Sequence, residues 1–168
     1  MSRPAASRPS IVKSGGMRVT PSSNSTRPPA SSVSVRDRMS RQRSKNTAPE
    51  VRVRKILHSR GIRFRTDVKL EADLRTRADI AWRQLGLAIF IDGCFWHGCP
   101  EHATRPAANA DWWARKLDNN VERDRQTDAV LRGRGWMVRR YWEHECADSV
   151  ADDISSVINL LRLRPDRP

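Results

Sequence analysis

The chain has 168 residues, of which 32 are lysine or arginine and 19 are aspartate or glutamate, so its formal net charge is +13 at pH 7. This length favours one domain with its own core, and no apolar run approaches the ~20 residues that a membrane-spanning helix needs. The N-terminus shows no apolar segment typical of a signal peptide, and the chain's three cysteines cannot all pair, which favours a metal site or free thiols over a disulfide scaffold. The net charge indicates a polyanionic partner, most often nucleic acid.

The positive charge is concentrated near the N-terminus. Residues 1–35 contain 17 Ser, Pro and Gly residues, five basic residues and no acidic one. Such a segment buries too little apolar surface to offset its ordering entropy, so we predict a disordered basic tail. Residues 36–48 add five basic residues against one acidic residue, which predicts an arm that binds nucleic acid; the alternative for the N-terminal charge is a purely solubilising tail. We predict that the folded domain spans residues 49–168.

Helix and strand signals alternate along this domain. A first helix should begin at Pro49, a residue favoured at the first helical position, with Thr47 as a candidate cap, and Gly61 should end it. Apolar periodicity then predicts strands at residues 62–65, 78–82 and 87–91, and a long helix at residues 109–132 with Asn109 as its candidate cap. It further predicts a fourth strand at residues 136–142 and a last helix that begins at a cap at Asp148. The order α-β-β-β-α-β-α predicts an α/β fold with a mixed sheet flanked by helices, in which the second and third strands form a hairpin and the third lies mid-sheet.

Potential metal ligands follow the third predicted strand. Four residues separate Cys94 from Cys99, and His102 follows shortly after. A structural zinc ion needs four Cys or His ligands, typically two from a tight local turn and others from a distant segment. The distant candidates are His144 and Cys146, just after the last strand. The spacing predicts a zinc site; the alternative is two buried free cysteines and a surface histidine.

Acidic residues and one histidine lie around the same strands. Asp79 lies in the second predicted strand and Asp92 ends the third, and carboxylates at adjacent strand ends can bind Mg²⁺, which activates water for attack on a phosphodiester. His97, five residues after Asp92, is a candidate general base. The alternative is that these aspartates serve only in turns or salt bridges.

Aromatic residues are paired in or near polar segments, as Phe95-Trp96 and Trp112-Trp113. Apolar side chains of this kind can enter a base step and unstack it, which distorts a duplex locally. Core packing is the alternative for any tryptophan. For the Phe95-Trp96 pair, in a glycine-flanked polar loop, an exposed wedge and a core position both remain open.

Several stretches match the motifs of one family, in order and with similar spacing, over roughly residues 36–146: Met39–Thr47, Asp92–His97, Asp111–Leu117, Asn120–Asp124 and Trp142-Glu143. Together they resemble the very-short-patch-repair DNA mismatch endonucleases. The resemblance implies a restriction-endonuclease-like fold and an enzyme that recognises a T:G mismatch, left by deamination of 5-methylcytosine, and nicks the strand 5′ to the T. It implies catalytic Mg²⁺, structural Zn²⁺ and double-stranded DNA as the partner, and we expect a monomer in the bacterial cytoplasm. The alternatives are a sequence-specific restriction-type nuclease and a non-enzymatic zinc DNA-binding module.

The resemblance also implies roles for residues at matching positions. Asp79 matches the metal-binding aspartate, with the backbone carbonyl of Ile91 as a further Mg²⁺ ligand, and His97 matches the general base. Glu50 and Asp124 match acids that surround the metal-bound waters and assist the histidine. The expected DNA contacts are the wedge residues Phe95, Trp96 and Trp113, the mismatch contacts Lys116 and Asn120, and Arg41, Arg43 and Lys45 of the basic arm.

The implied zinc ligands are less regular than the rest. Cys94 matches the first ligand, whereas Cys99 and His102 fall in the second ligand cluster, whose loop is shorter here. After the last strand the family has Trp-Glu-Cys and this chain has Trp-Glu-His. His144 is therefore the expected fourth ligand, which gives a Cys₂His₂ set, with Cys146 as the fallback.

The two residues before the Gly-Cys-Phe-Trp-His core also depart from the family pattern. The family has Thr-His at these two positions, and this chain has Ile91-Asp92. A carboxylate here could bind Mg²⁺ directly instead of hydrogen-bonding the phosphate. Asp92 is therefore a candidate for a second Mg²⁺ ligand from a side chain.

Overall fold

The computed structural model describes residue 37 and residues 45–163. Within the described residues, the helices are α1 (Ala48–Ser59), α2 (Ala110–Gly133) and α3 (Ala147–Arg162), and the strands are β1 (Arg65–Lys69), β2 (Arg77–Trp82), β3 (Leu87–Asp92) and β4 (Met137–Trp142). A short 3₁₀ helix, Arg83–Leu85, joins β2 to β3. The predicted element order is confirmed. The predicted tail, most of the predicted arm and the last five residues lie outside the described residues, so the predicted domain boundaries stay predictions.

The four strands form one mixed sheet in the order β1-β2-β3-β4. Strands β1, β2 and β3 pair antiparallel, as the predicted hairpin requires, whereas β3 and β4 are parallel and α2 makes the crossover between them. Because β2 runs against β3 and β4 runs with it, the start of β2 and the ends of β3 and β4 meet at one edge of the sheet. The functional site is built at this edge.

Both faces of the sheet are covered, which explains why β3 is apolar along most of its length. Leu87 and Ile89 point into a core shared with α1 and α3, and the alternate residues Ala88 and Phe90 point into a second core shared with Leu131 of α2. Successive side chains of a strand face opposite sides, so a strand buried on both sides lacks the alternation of polar and apolar residues. The prediction of a mixed sheet flanked by helices is confirmed. None of the described helices has the length and apolar character needed to cross a membrane.

The first strand does not lie where the sequence predicted it. A strand over residues 62–65 is wrong, because β1 begins at Arg65, opposite Ala81 of β2. Strand β2 ends at Trp82, which the register places opposite Phe64, and turns into the 3₁₀ helix, so Ile62 and Arg63 have no strand to pair with. The side chains of Ile62 and Phe64 pack against the core instead, and the indole of Trp82 donates a hydrogen bond to the carbonyl of Arg63 at 2.6 Å.

One predicted helix cap is also wrong. Helix α3 begins at Ala147 with Cys146 at the N-cap position, and Asp148 lies within the first turn. A carboxylate in the first turn is favoured by the positive end of the helix dipole, which is why Asp148 resembles a cap in the sequence. The other two predicted caps, Thr47 and Asn109, do occupy the N-cap positions of their helices.

Candidate active site and metal centre

A cleft of about 740 Å³ opens at the edge of the sheet where β2 begins and β3 ends. It is lined by residues from α1, from both strands, from the loop after β3 and from α2. The cleft brings together most of the residues that the sequence singled out for catalysis and DNA contact, namely Glu50, Asp79, Ile91, Asp92, Trp96, His97, Lys116, Asn120 and Asp124.

Asp79 lies at the centre of this edge. It is the third residue of β2, and its Oδ2 accepts a hydrogen bond from the backbone N–H of Ile91 at 2.7 Å. Burial raises the pKa of Asp79 to about 6; the Ile91 hydrogen bond opposes this rise, and the carboxylates of Glu50 and Asp92 add to it. A buried carboxylate beside other acids is an environment in which a bound cation relieves both desolvation and repulsion.

Glu50 is a buried acid on the first turn of α1, with only 3% of its surface exposed. Its carboxylate accepts hydrogen bonds from the backbone N–H groups of Asn46 (3.1 Å) and Thr47 (3.4 Å) and pairs with Arg54 at 2.6 Å. Arg54 also donates to the backbone carbonyl of Asp79 at 3.4 Å. The start of α1 is therefore fastened to β2 beside the cleft, through an arginine that the sequence analysis did not identify.

His97 lies on the loop after β3. Its Nδ1 is 2.6 Å from Oδ2 of Asp124 and 3.7 Å from Oδ1 of Asp92. Burial acts to lower the pKa of His97, but the hydrogen bond to Asp124 and the charge of Asp92 outweigh it and raise the pKa. We assign the ring proton of the neutral form to Nδ1, facing Asp124, which leaves the Nε2 lone pair to accept a proton.

Asp92 is buried and its partner is a cation. Both of its carboxylate oxygens accept hydrogen bonds from Nη1 of Arg140, at 2.8 and 2.9 Å. Burial raises the pKa of Asp92, although Arg140 and His97 oppose the rise. Arg140 was not among the predicted site residues. The available signal was the alternation in β4, where Val138 is buried and Arg140, two residues later, shares its face.

The aromatic residues of the predicted wedge form one cluster. The ring centroids of Phe95, Trp96 and Trp113 are 4.9–6.0 Å apart. All three side chains are partly buried, so neither a core position nor a fully exposed wedge describes them. Asn120 is buried and donates a hydrogen bond from Nδ2 to the carbonyl of Trp96 at 3.2 Å, whereas Lys116, one turn earlier, is exposed at the cleft.

The basic arm contributes one described lysine. Lys45 is exposed, and its ammonium group pairs with Asp67 of β1 at 2.8 Å. Asp67 has a φ of 51° and also pairs with Arg77 at the start of β2. Arg41 and Arg43, the other two arm residues predicted to bind DNA, lie outside the described residues.

A second cluster of potential metal ligands combines three residues of the loop that carries His97 with one residue after β4. One ligand atom from each of Cys94, Cys99, His102 and His144 lies within 4.8 Å of the other three. Sγ of Cys94 is 3.0 Å from Nδ1 of His144, and Sγ of Cys99 is 3.8 Å from Nδ1 of both histidines. Tetrahedral zinc with ordinary bond lengths separates its ligand atoms by roughly 3.3–3.8 Å. The two 3.8 Å distances match the upper end of this range, and two thiols with two imidazoles are a set of donors that zinc binds. Cys146 is exposed at the N-cap of α3 and is not part of the cluster.

Neighbouring groups support this cluster. Oε2 of Glu101 is 3.6 Å from Nε2 of His144, the ring nitrogen that faces away from the thiols. Oε1 of Glu143 accepts a hydrogen bond from the backbone N–H of Cys94 at 2.7 Å, and Glu143 also lines the cleft. Carboxylates and backbone groups of this kind orient metal ligands in known sites. Glu143 therefore links the cluster to the cleft, a role that the sequence analysis did not assign to it.

The fold and the site together define the class of protein. A mixed sheet presents acids and a histidine at one edge, and aromatic and basic side chains line the same cleft. This combination is suited to hydrolysis of a nucleic-acid phosphodiester. The fold and the site thus point to a nuclease, and comparison with known proteins shows its family.

A family model described as DNA mismatch endonuclease Vsr matches residues 32–102. The type II nicking enzyme V.NaeI of Lentzea aerocolonigenes is 39% identical over 125 residues, which cover 73% of this chain and 74% of that protein. The type II nicking enzyme V.XorIIP of Xanthomonas oryzae pv. oryzae is 41% identical over 114 residues (66% and 79%), and the DNA mismatch endonuclease Vsr of Escherichia coli is 35% identical over 101 residues (60% and 63%). The chain belongs to the Vsr family of DNA mismatch endonucleases, which confirms the predicted resemblance and the prediction of an enzyme that cleaves DNA.

Proposed function

We propose that this enzyme nicks one DNA strand 5′ to the T of a T:G mismatch, by Mg²⁺-dependent hydrolysis, and so starts repair of deaminated 5-methylcytosine. One arrangement carries this function: Asp79, the His97–Asp124 pair and Trp96 line a single cleft. Hydrolytic groups and a base-sized aromatic surface are thereby presented to the same stretch of duplex. The acids at one edge of a mixed sheet also support the restriction-endonuclease-like arrangement that the resemblance implies.

The metal chemistry is assigned to the sheet edge. Asp79 and the backbone carbonyl of Ile91 would hold Mg²⁺, with Glu50 near its water ligands; hard oxygen donors of this kind suit Mg²⁺. When bound, the ion would supply positive charge to the phosphate and lower the pKa of a bound water. The fit is supported by the buried Asp79 carboxylate, whose only side-chain hydrogen bond among the described residues is to a backbone N–H.

His97 is assigned as the general base. Its Nδ1 is engaged by Asp124, so Nε2 would take the proton from the attacking water. Asp124 fixes the tautomer and the ring orientation and stabilises the imidazolium that forms. These roles require a fixed orientation of the ring, and the loop that carries His97 also contributes Cys94, Cys99 and His102 to the Cys₂His₂ cluster.

Selectivity for the mismatch is assigned to the aromatic cluster. Phe95, Trp96 and Trp113 would enter the duplex beside the mismatched pair, with Lys116 and Asn120 in contact with the pair itself. Unstacking costs a few kcal/mol and costs least where pairing is already weak, so insertion favours mismatched over matched DNA. The basic arm would bind backbone phosphates without regard to sequence.

Zn²⁺ is assigned to Cys94, Cys99, His102 and His144, in a structural role. It would hold the loop from Gly93 to His102 against the segment after β4. The enzyme would act as a monomer on chromosomal DNA, and hence in the bacterial cytoplasm.

A nicking assay tests this function against its competitors. End-labelled duplexes that differ only in T:G, C:G or T:A at one position are incubated with enzyme and Mg²⁺, and the cut strand is mapped on a denaturing gel. Cleavage of the T strand in the T:G duplex alone is expected. Equal cleavage of the matched duplexes would identify a sequence-specific nuclease, and binding without cleavage would identify a DNA-binding module.

A further inference from the structure

We propose that Arg140 is a positioning residue for His97, acting through Asp92, and that Asp92 is therefore not a Mg²⁺ ligand. The inference rests on the proposed function, in which His97 is the general base. It concerns two residues whose roles the sequence left unassigned or open.

The first observation is how Asp92 is held. Both of its oxygens accept hydrogen bonds from Arg140 at 2.8 and 2.9 Å, and Oδ1 lies 3.7 Å from Nδ1 of His97. A fixed positive charge at both oxygens repels a second cation at the same atoms. Asp79 differs, because its hydrogen-bond donor is an uncharged backbone N–H. Of the two carboxylates at this edge, Asp79 is suited to binding a cation, whereas Asp92 already has Arg140 as its positive partner.

The second observation is what Arg140 joins. It lies on β4 opposite Phe90 of β3, and its guanidinium lies 4.5 Å from the centre of the Phe90 ring. Besides Asp92 at the end of β3, it contacts two acids one turn apart on α2: Nε is 3.1 Å from Asp128, and Nη2 is 3.9 Å from Asp124. Arg140 therefore connects the two elements whose carboxylates flank the His97 ring.

The third observation is the balance of charge. The acids Asp92, Asp124 and Asp128 line one pocket with Arg140, and the basic residues near them on α2 are Arg123, Arg125 and Arg132. All three arginines are exposed; the side chains of Arg123 and Arg132 are 57% and 58% exposed, against 20% for Arg140. Solvent screens exposed charges far more than buried ones. Without Arg140 the three acids would repel one another and the ring between two of them would lose its fixed orientation.

Single-turnover nicking of a T:G duplex tests this inference. Arg140→Gln is expected to slow the step roughly 10- to 100-fold, the usual effect of losing a group that orients a catalytic residue. The Mg²⁺ concentration for half-maximal rate and the affinity for DNA should stay within about twofold of wild type. Arg140→Lys should recover part of the rate. Arg139→Gln is the matched control, because this exposed neighbour lies on the opposite face of β4, and its rate should be that of wild type.

Asp92→Asn should reproduce the loss of rate without raising the Mg²⁺ requirement. The double variant Asp92→Asn, Arg140→Gln should be no slower than the slower single variant, because both changes break one link. It also replaces both members of the ion pair, so it remains informative where Arg140→Gln alone leaves a buried charge unpaired and unfolds the protein.

Nitrogen NMR of the histidine rings in Mg²⁺-free protein gives a readout that does not depend on activity. The His97 signals, identified by their loss in His97→Gln, should show one tautomer in wild type and in Arg139→Gln, and a mixed or broadened pattern in Arg140→Gln.

Three results would overturn the inference: wild-type rate and ring signals in Arg140→Gln, a raised Mg²⁺ requirement in Asp92→Asn, or weaker DNA binding with a flatter salt dependence in Arg140→Gln, which would place Arg140 on a phosphate. If the wild-type enzyme does not nick mismatched DNA, the proposed function fails, and the NMR comparison still decides whether Arg140 positions His97.

Discussion

At the scale of single residues, three aspartates of the cleft differ in the group that each one contacts. Asp79 contacts a backbone N–H, Asp124 contacts a histidine, and Asp92 contacts an arginine. Three aspartates of identical chemistry thus acquire three environments, and their pKa values move in different directions: burial raises those of Asp79 and Asp92, while the His97 contact lowers that of Asp124 against the effect of burial. Site assignments of this kind are tested by changing one residue at a time.

We predict that Asp79→Asn abolishes nicking and stabilises the Mg²⁺-free protein at neutral pH. The pKa of Asp79 is about 6, raised from 3.8, so the fold favours the neutral form; this contribution is complete below pH 3.8 and is lost as the pH rises through about 6. At pH 7.5 the wild type carries a buried charge that costs up to about 3 kcal/mol, which the neutral amide avoids. Urea unfolding in Mg²⁺-free buffer should show this gain, and the gain should shrink as the pH falls from 7.5 toward 4. A variant that nicks at the wild-type rate would remove Asp79 from the active site.

We predict that Trp96→Ala lowers the preference for T:G over matched DNA. Loss of a base-stacking side chain costs about 1–3 kcal/mol, so the ratio of single-turnover rates on the two duplexes should fall by roughly 5- to 150-fold. Trp112→Ala is the control, since Trp112 contacts Trp113 but does not line the cleft. Unchanged discrimination together with lower stability would show that Trp96 serves the hydrophobic core.

At the scale of elements, two segments far apart in sequence lie side by side and together supply the Cys₂His₂ cluster. The loop after β3 carries Cys94 and Cys99, and the segment after β4 carries His144. Strands β3 and β4 are parallel and adjacent, so the segments that follow them emerge side by side. The backbone N–H of Glu143 donates a hydrogen bond to the carbonyl of Asp92 at 2.9 Å, which continues the pairing past the strands.

We predict that the purified protein contains about one zinc ion per chain and that His144→Ala loses it. A structural zinc ion contributes folding free energy, so this variant should also unfold at a lower temperature than wild type. Cys146→Ser is the control, because Cys146 is exposed and outside the cluster; it should keep both the metal and the melting temperature. Metal analysis by mass spectrometry and thermal denaturation measure both quantities. A folded, active sample without zinc would contradict the assignment.

At the scale of the whole molecule, the positive charge and the acids of the cleft lie in different parts of the chain. Most of the net charge of +13 comes from residues 1–48, whereas the acids of the cleft belong to the sheet and its helices. The two parts join where Asn46 and Thr47 donate backbone hydrogen bonds to Glu50. The end of the predicted arm therefore lies beside the cleft, which Thr47 lines.

We predict that removal of residues 1–35 leaves mismatch nicking largely intact, whereas removal of residues 1–44 weakens DNA binding. The second deletion takes away Arg41 and Arg43 but keeps the contacts of Asn46 and Thr47 with Glu50, so the active site stays whole. Each lost phosphate contact should reduce the slope of log affinity against log salt concentration by about 0.9. Binding isotherms at several salt concentrations measure the slope. Equal effects of the two deletions would place the boundary of the arm elsewhere.

The sequence by itself determined the order of the elements, the hairpin and the family, and it placed Cys94, Cys99 and His102 as candidate metal ligands in one loop. These features depend on local patterns: a period of two residues in a strand, a cap before a helix, and residues at fixed spacing in one loop. Where an element is defined by its partner, the local pattern was insufficient. The alternation of Ile62 and Phe64 predicted a strand, but strand pairing needs a neighbour, and β2 ends at Trp82, opposite Phe64, before it reaches Ile62.

Only the tertiary structure decided which residues of distant segments meet. His144 and Cys146 are both plausible ligands in the sequence, and the direction in which the chain leaves β4 brings His144 to the thiols. Arg140 is one of 32 basic residues, and nothing in its neighbours along the chain indicates that it meets Asp92. That contact depends on β3 and β4 lying side by side in parallel register, and on α2 covering the face to which Arg140 points. Ion pairs between distant segments follow from packing, which a one-dimensional pattern does not contain.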